Sequence, residues 1–132
     1  MLKTYIVEDS PVIRDSLIAT LEELGPVEVV GSAEDEPAAL AWLGAPGHHA
    51  DLVIIDLFLP RGSGLGVLQG AKAHPSHGRL IVLSNYATPD MRCRCLELGA
   101  DRVFDKSHDI DALLAYCRGL EDHQTDARTV ST

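Results

Sequence analysis

Two uninterrupted apolar runs constrain the fold of this chain more than any other feature. Leu52–Ile55 contains only Leu, Val and Ile, and a second run of the same kind lies within residues 79–83. A strand that is apolar at every position is buried on both faces, which is typical of a parallel sheet covered by helices on both sides. Each run is followed at once by a polar residue, Asp56 in the first case and Ser84 in the second. In open parallel sheets, ligands bind at the carboxyl ends of the strands.

The remainder of the chain alternates between short β-rich runs and helical segments. Further strands are predicted at residues 2–7, 27–30 and 102–104. Helices are predicted over residues 11–24, 34–43, 65–73 and 89–98, and from residue 110. Strands that alternate with helices make right-handed crossovers between parallel neighbours. The sequence therefore predicts an α/β fold, a doubly wound five-stranded parallel sheet of flavodoxin-like order 2-1-3-4-5 with helices on both faces.

Two of the helices have a clear start signal. Ser10 and Thr88 are favoured N-cap residues, and each is followed by a proline, which suits the first helical position. Gly25 and Gly99 mark the ends of the same two helices.

Length and polarity limit the domain organisation. The 132 residues suffice for one domain whose core needs no disulfide or metal. From Glu121 the sequence is polar and aperiodic, so we expect one domain over residues 1–120 and a flexible polar C-terminal tail over residues 121–132. No apolar run approaches the roughly 18 residues of a membrane span, and the first residues enter a strand instead of a signal peptide. We therefore expect a cytoplasmic protein without membrane insertion.

The charge balance argues against a nucleic-acid surface. The formal net charge is −9, and the eleven Lys and Arg residues are scattered along the chain. Binding to a phosphate backbone needs clustered basic residues. We therefore expect no direct contact with nucleic acid.

Cysteine and histidine patterns give no strong metal or redox signal. The chain has three cysteines and no C-x-x-C motif, so we expect free thiols with a structural role at Cys93, Cys95 and Cys117. His74 and His77 have a spacing that could hold a metal. The proline between them and the lack of nearby carboxylates favour a solvated loop instead.

Polar residues follow four of the predicted strands and are expected to meet in one cleft. Glu8 and Asp9 follow the first strand, which neighbours the third strand and its Asp56 in the predicted order. Ser84 and Lys106 follow the fourth and fifth strands on the same edge. Any one of these residues could be an ordinary surface or turn residue, but all of them at the ends of four strands indicate a site.

The cleft has the composition of a divalent-cation and phosphoryl site. Three close carboxylates resist ionisation together unless a cation shares the site. Oxygen ligands favour a hard ion, and Mg²⁺ fits better than Ca²⁺ because few protein ligands converge and there is no acidic calcium-binding loop. With Lys106 and Ser84 the cation would form a cradle for an anion with three equatorial oxygens. Asp56 at its centre is a candidate nucleophile that forms an acyl phosphate.

Four segments in order make the chain resemble the receiver domain of two-component response regulators over about residues 2–119. They are Val-Glu-Asp-Ser at residues 7–10, Asp-Leu-Phe-Leu-Pro at residues 56–60 with Gly62 and Gly64, Val-Leu-Ser at residues 82–84, and Gly-Ala-Asp-Arg-Val-Phe-Asp-Lys at residues 99–106. We expect a receiver of the stand-alone type, because residues 120–132 are too short for a DNA-binding output domain.

The resemblance implies a role for each residue of the cleft. Asp56 would accept a phosphoryl group from the phosphohistidine of a histidine kinase or a histidine phosphotransfer protein, as in a phosphorelay. Asp9, Asp56 and the backbone carbonyl of Phe58 would bind Mg²⁺ directly, with Glu8 acting through water. The resemblance also implies that Ser84 and Lys106 hold phosphoryl oxygens. Such a protein is a phosphoacceptor with at most slow self-dephosphorylation and is not an enzyme in the ordinary sense.

Three positions depart from the family pattern. Val103 stands where the family commonly has an aromatic switch residue, with Phe104 next to it, and Asn85 stands where a small residue is usual. Ser107 follows the lysine in place of a proline whose preceding bond is cis. A cis bond before a non-proline residue costs about 2.5–4 kcal/mol. The bond is therefore either trans with an altered loop, or cis with strain beside the site.

Signal output requires a partner protein if the receiver stands alone. We expect the reader to bind the face of the fourth helix, fifth strand and fifth helix, and phosphorylation to shift a two-state equilibrium there. The basic and aromatic residues expected on this face are Arg92, Arg94, Arg102, Tyr116 and Arg118. Phe58 and Tyr86 border the approach to phosphorus in this family, and we expect their bulk to impede an attacking water.

Other functions fit the sequence less well. Haloacid-dehalogenase-type enzymes also use an aspartyl phosphate, but they carry Asp-x-Asp, and Phe58 occupies the place of the second acid. No P-loop motif is present, which argues against nucleotide hydrolysis. The main alternative is a receiver-like interaction module that works without phosphorylation, favoured by Val103, Ser107 and Asn85. A receiver cut from a longer regulator would have the same chemistry.

Overall fold

The structure is a computed structural model that describes residues 1–74, 77–85 and 87–130, the last eight as backbone only. Five strands and five helices alternate along the chain, and the strands form one parallel sheet of order β2-β1-β3-β4-β5. The strands are β1 (Leu2–Val7), β2 (Val27–Ala33), β3 (Leu52–Ile55), β4 (Arg79–Ser84) and β5 (Arg102–Asp105). The helices are α1 (Pro11–Leu24), α2 (Glu36–Gly44), α3 (Gly64–Lys72), α4 (Pro89–Glu97) and α5 (Ile110–Val130). The predicted fold class and strand order are confirmed.

Side-chain caps define where four of the helices begin. In each case the capping oxygen accepts a hydrogen bond from the backbone N–H three residues later, as is usual for an N-cap. The caps are Ser10 for α1, Asp35 for α2, Ser63 for α3 and Thr88 for α4. The start signals at Ser10 and Thr88 are therefore confirmed.

The central strands separate two hydrophobic layers. Along β3, Val53 and Ile55 face a core shared with α2, α3 and α4. Leu52 and Ile54 face the opposite core, to which α1 and α5 contribute. Side chains of a strand alternate between the faces of the sheet, so a wholly apolar strand supplies both layers. The prediction of helices on both faces is confirmed.

The second strand is longer than the predicted residues 27–30. It continues through Gly31 to Ala33, with a shift of register opposite Thr4 and Tyr5 that leaves Val30 as an extra residue. A bulge of this kind breaks the regular alternation of side chains. Gly31 suits this place because a Cβ would make a tight contact, 3.1 Å from the ring of Tyr5. The alternation of apolar and polar residues therefore does not predict the second half of the strand.

The interpretation of the His74 and His77 segment as a solvated loop is wrong for His77. This imidazole is 6% exposed. Its Nδ1 accepts a hydrogen bond from the Ala50 N–H at 3.2 Å, and its Nε2 lies 2.8 Å from the carbonyl oxygen of Leu43. A carbonyl only accepts, so Nε2 carries the proton. Imidazole satisfies two backbone groups at once, which explains why a polar residue occupies this buried position.

The last helix extends beyond the expected start of a flexible tail. The backbone of α5 is helical as far as Val130, whereas the sequence predicts a tail from Glu121. Residues 121–130 contain no Gly or Pro, and a formed helix propagates through such residues at little cost. The division into a domain over residues 1–120 and a separate tail stays a prediction. Although α5 has 21 residues, no helix in the described part of the chain is long and apolar enough to cross a membrane.

Candidate functional site

The acidic residues of the site follow two strands that are in register. Val7 at the end of β1 pairs with Ile55 at the end of β3. The N–H of Asp56 donates a hydrogen bond to the carbonyl of Val7 at 3.0 Å. The residues that follow these ends, Glu8 and Asp56, are therefore delivered to the same point of the carboxyl edge.

Three carboxylates converge at this point. Oxygen atoms of Glu8, Asp9 and Asp56 all lie within 4.8 Å of one another. Glu8 is 2% and Asp56 9% exposed, whereas Asp9 faces solvent. Glu8 also accepts a hydrogen bond from the N–H of Ser10 at 3.2 Å, which ties it to the start of α1. Buried negative charges at this separation require a positive partner.

Lys106 supplies positive charge to the two buried acids. Its Nζ lies 3.2 Å from Asp56 Oδ2 and also donates a hydrogen bond to Glu8 Oε1. Burial alone would lower the pKa of Lys106. The hydrogen bond to Glu8 and the charges of Asp56 and Glu8 outweigh burial and raise the pKa above its ordinary value. The ammonium group is therefore charged at neutral pH and bridges both carboxylates.

The loop after Asp56 folds back tightly beside the site. The N–H of Gly64 donates to the carbonyl of Leu57 at 2.9 Å, and Phe58 pairs with Ser63 in an isolated antiparallel bridge. A Cβ at Gly64 would lie 2.2 Å from the carbonyl oxygen of Asp56, so only glycine fits. This return holds the backbone of Phe58, two residues after Asp56, against Ser63, while the Phe58 side chain is 53% exposed.

The fourth and fifth strands bring the hydroxyl and the lysine to the same edge. Ser84 is fully buried at the end of β4 and pairs with Asp105 in β5. The N–H of Lys106 donates to the carbonyl of Ser84 at 3.1 Å. The two predicted phosphoryl-contacting residues are thus joined through the backbone.

The unusual residues Asn85 and Ser107 contact each other. The hydroxyl of Ser107 donates to Asn85 Oδ1 at 3.3 Å, and its N–H donates to Asp105 Oδ1 at 2.7 Å. The Lys106–Ser107 peptide bond is trans. A proline at position 107 could make neither hydrogen bond. Of the two alternatives, the structure has the trans bond with an altered loop. The two departures from the family pattern form one link between the loops that follow β4 and β5.

The fifth strand has no aromatic side chain on the side where the family commonly has its aromatic switch residue. Val103 is buried, and Phe104 points to the opposite core, where its ring lies 5.9 Å from that of Tyr116. Instead Arg92 of α4 spans the region: Nε donates to the carbonyl of Ala87 at 3.0 Å and a terminal nitrogen to that of Val103 at 2.8 Å.

Arg92 also reaches the start of the last helix. Its second terminal nitrogen lies 3.5 Å from Asp109 Oδ2, which accepts the N–H of Asp105 at 2.8 Å. The hydrogen bond from Asp105 chiefly lowers the pKa of the Asp109 carboxyl, and Arg92 lowers it further. Arg92 therefore ties the loop after β4, the strand β5 and the N-terminus of α5 to one another.

The sequence predicted most of the site but missed two contributors. Glu8, Asp9, Asp56 and Lys106 come together as expected, and Ser84 lies at the same edge. Glu36, whose carboxylate accepts the N–H of Ser63 at 2.9 Å, was not foreseen. Neither was the role of Arg92, which was expected only to contribute charge to a surface. Tyr86 lies outside the described residues.

Fold and site together define an α/β protein with an acidic pocket at the switch point of a 2-1-3-4-5 sheet, and the lysine that directly follows β5 contacts two of its acids. A model of the response regulator receiver domain family matches residues 4–118. The chain therefore belongs to the response regulator receiver domain family of two-component signalling. Members of this family are phosphoacceptors that bind Mg²⁺ at an acidic pocket.

Similar proteins agree with this assignment. A probable transcriptional regulatory protein of Picosynechococcus sp. is 34% identical over 123 residues, which cover 89% of this chain and 48% of the relative. The signal receiver domain of the NarL regulator from Mycobacterium tuberculosis has the same fold, with a TM-score of 0.75 at 24% identity over 89% of this chain and 97% of the other. The Mn²⁺-bound form of response regulator Rcp1 superposes with a TM-score of 0.71 at 25% identity, covering 92% of both chains.

Length differs between this chain and its relatives. The chain spans about half the length of the curated relatives that it matches first. These relatives are named as transcriptional regulatory proteins. Their names therefore refer to longer proteins, of which this chain matches about half.

The donor set of the pocket fits a hard divalent cation. All three side chains that converge offer carboxylate oxygens. No thiolate or imidazole takes part in this three-residue cluster. Mg²⁺ prefers oxygen ligands and keeps several waters.

Proposed function

We propose that this protein is a single-domain response regulator that accepts a phosphoryl group on Asp56 from a histidine kinase or a histidine phosphotransfer protein. The observation that carries the proposal is the convergence of Asp56 with two further carboxylates and with Lys106 at the end of a buried strand. A surface carboxylate has no need of such surroundings. An acyl-phosphate-forming aspartate needs all of them, because both reactants are anionic.

The proposed reaction transfers a phosphoryl group from a histidine nitrogen of the donor to a carboxylate oxygen of Asp56. A carboxylate oxygen of Asp56 attacks phosphorus, a P–O bond forms, the P–N bond of the phosphohistidine breaks, and the imidazole leaves with its electron pair and takes a proton. Asp9, Asp56 and the Phe58 carbonyl would hold Mg²⁺, with Glu8 acting through water. The cation would supply charge neutralisation for the transferred group. Lys106 and Ser84 would hold the phosphoryl oxygens.

An apolar groove beside Lys106 supports docking of the phosphodonor protein. The groove has a volume of about 310 Å³ and lies between α1 and α5. Its lining includes Val12, which is 80% exposed, and Ile13, which is 41% exposed. A donor must bring its histidine to Asp56, so its contact surface has to adjoin the pocket. Exposed apolar side chains next to a charged site are typical of a protein interface.

The output surface proposed for the protein is the face formed by α4, β5 and α5. Arg102 stacks over the ring of Tyr116, with 5.3 Å between its guanidinium carbon and the ring centroid, and Arg94 is exposed on α4. Aromatic and arginine side chains are enriched where proteins bind one another. Arg118 does not belong to this face, because it donates to the carbonyl of Leu24 at the end of α1. With a net charge of −9, the reader is proposed to be a protein and not DNA.

A receiver-like module that works without phosphorylation is the second candidate. The Asn85–Ser107 link and the absence of an aromatic residue at position 103 favour it, because they change the parts by which the family couples phosphorylation to output. It would use the same output face. The presence of all three acids and of Lys106 favours the phosphoacceptor.

Intact mass after incubation with acetyl phosphate tests the proposal. We expect a gain of about 80 Da, the mass of one phosphoryl group, in the presence of Mg²⁺ and none in EDTA. Asp56→Asn should remove the gain, whereas Asp51→Asn, a change of the same kind at the opposite edge of the sheet, should keep it. No adduct on the wild-type protein, together with no Mg²⁺ binding in a titration, would favour the phosphorylation-independent module.

A further inference from the structure

The start of α2 is attached to the loop that follows Asp56. The N–H of Glu36 donates to the carbonyl of Arg61 at 3.0 Å, and the Glu36 carboxylate accepts the N–H of Ser63 at 2.9 Å. Both contacts join residues far apart in sequence, and both fall on the short loop between β3 and α3. Glu36 is partly buried. Through these two hydrogen bonds it holds the loop from the α2 side.

Two glycines make room for the Glu36 carboxylate. A Cβ at Gly66 would lie 2.2 Å from Glu36 Oε1, and a Cβ at Gly62 would lie 2.4 Å from the same atom. Gly62 also has a positive φ of 81°, which glycine adopts without strain. The carboxylate therefore rests directly against the N-terminus of α3, where negative charge is favourable. The loop and Glu36 fit as one unit.

The same loop carries the backbone of Phe58. Ser63, which donates to Glu36, is the residue that pairs with Phe58 in the antiparallel bridge. The next residue, Gly64, donates to Leu57 at 2.9 Å. The restraint imposed by Glu36 on Ser63 is thus passed to Phe58 through a single pair of residues.

We propose that Glu36 is a positioning residue for the cation site, which holds the β3–α3 loop so that the Phe58 carbonyl is oriented towards the acidic pocket. The inference rests on the proposed function, in which this carbonyl is a Mg²⁺ ligand. A carbonyl on a loop that contains Gly62 binds a cation weakly if the loop must first be ordered, because fixing the backbone of each residue costs conformational entropy. Groups that orient metal ligands typically change metal affinity about 10- to 100-fold.

The test measures Mg²⁺ affinity by calorimetric titration and the hydrogen exchange of the Ser63 amide in metal-free protein. Glu36→Ala is expected to raise the Mg²⁺ dissociation constant about ten-fold and to accelerate exchange at Ser63. Glu36→Gln should behave much like the wild type, because its amide oxygen can still accept the Ser63 N–H. Glu34→Ala is the matched control, since it removes an exposed carboxylate two residues away and changes the net charge equally.

Gly66→Ala provides an independent route to the same result. Its Cβ would displace the Glu36 carboxylate, so we expect weaker Mg²⁺ binding even though alanine is the better helix former. Combined with Glu36→Ala, it should add little further loss. A role limited to helix stability predicts the reverse, a more stable protein with unchanged affinity.

Two results would overturn the inference. One is a Glu36→Ala dissociation constant within two-fold of the wild type, and the other is an equal loss in Glu34→Ala, which would assign the effect to net charge. Wild-type protein that binds no Mg²⁺ would remove the proposed function and this inference with it. The wild-type titration therefore distinguishes a failure of the site from a failure of Glu36.

Discussion

Lys106 Nζ lies 3.2 Å from Asp56 Oδ2 and also contacts Glu8, so one ammonium group is shared between the two buried carboxylates of the site. A cation that enters the pocket must share these carboxylates with the lysine. Lysine and Mg²⁺ therefore oppose each other in the ground state, although both would stabilise a transferred phosphoryl group.

Replacing the lysine by an uncharged residue of similar length should strengthen metal binding. A unit charge at about 4 Å contributes about 1 kcal/mol in water and more in a partly buried site. Lys106→Met is therefore expected to lower the Mg²⁺ dissociation constant at least about five-fold, while phosphorylation by acetyl phosphate becomes slower. Lys3→Met, at the opposite edge of the sheet, makes the same change of net charge and should bind as the wild type. Equal or weaker Mg²⁺ binding in Lys106→Met would contradict competition.

The exposed ring of Phe58 is expected to prolong the phosphorylated state. Phe58 follows Asp56 by two residues and its side chain is 53% exposed, so we expect the ring to obstruct a water molecule that approaches Asp56 from solvent. Phe58→Ala keeps the carbonyl and should hydrolyse its phosphoryl group several-fold faster, as measured by the decay of the 80 Da adduct. Leu96→Ala removes an exposed side chain from α4 and serves as control. Unchanged decay in Phe58→Ala would disprove the obstruction.

Arg92 links the loop after β4 to β5 and to the start of α5. It donates to the carbonyls of Ala87 and Val103 and reaches Asp109, so three segments lose a common partner in Arg92→Ala. Hydrogen bonds of this kind contribute about 0.5–1.5 kcal/mol each, so the free energy of unfolding should fall by about 1–2 kcal/mol. Arg94→Ala, on the same helix, should change it by less than about 0.5 kcal/mol.

The coupling itself can be measured by amide NMR. In the wild type, phosphorylation is expected to shift resonances of α4 and of the N-terminus of α5 together. In Arg92→Ala the shifts near Asp109 should shrink while those next to Asp56 persist. Identical shift patterns in both proteins would mean that the signal reaches α5 by another route.

His77 should be a determinant of stability at the end of the sheet opposite the site. In His77→Ala the buried N–H of Ala50 loses its acceptor and the carbonyl of Leu43 loses its donor. Leaving such groups unsatisfied costs about 1–3 kcal/mol each, so we expect the free energy of unfolding to fall by about 2 kcal/mol or more. His49→Ala, which removes a half-exposed imidazole paired with Asp51, should cost much less. Chemical denaturation of the two variants would decide.

The sheet and the polar residues at its edge were predictable because each depends on local pattern. An apolar run such as Leu52–Ile55 predicts a buried strand, and its last residue fixes where the next side chain emerges. Parallel order then brings strand ends together, so Asp56 and Lys106 meet although 50 residues separate them. The same logic predicts Ser84 at the same edge of the sheet, where β4 ends.

Contacts made by side chains across loops were not predictable from the sequence. Glu36 meets Ser63 because two glycines leave space, and no local pattern encodes that space. Arg92 binds backbone carbonyls, which every residue possesses, so its partners leave no signature. His77 was misjudged for a related reason, since burial of a polar side chain depends on the backbone groups around it and not on its neighbours in sequence.

The buried thiol of Cys117 should make the protein sensitive to alkali. Burial raises the pKa of Cys117 from 9.0 to about 11. The folded pKa exceeds the unfolded one, so the thiol loses its proton at a lower pH in the unfolded state. The contribution of the protonated thiol to the free energy of unfolding is therefore fully present below pH 9 and is lost as the pH rises towards 11. A difference of about two in pKa corresponds to about 2.7 kcal/mol. The free energy of unfolding can be measured in urea at pH 8 and at pH 11 for both proteins. Between these two pH values it should fall further in the wild type than in Cys117→Ala, by about that difference. Stability curves that stay parallel across this range would show that the thiolate is not penalised in the core.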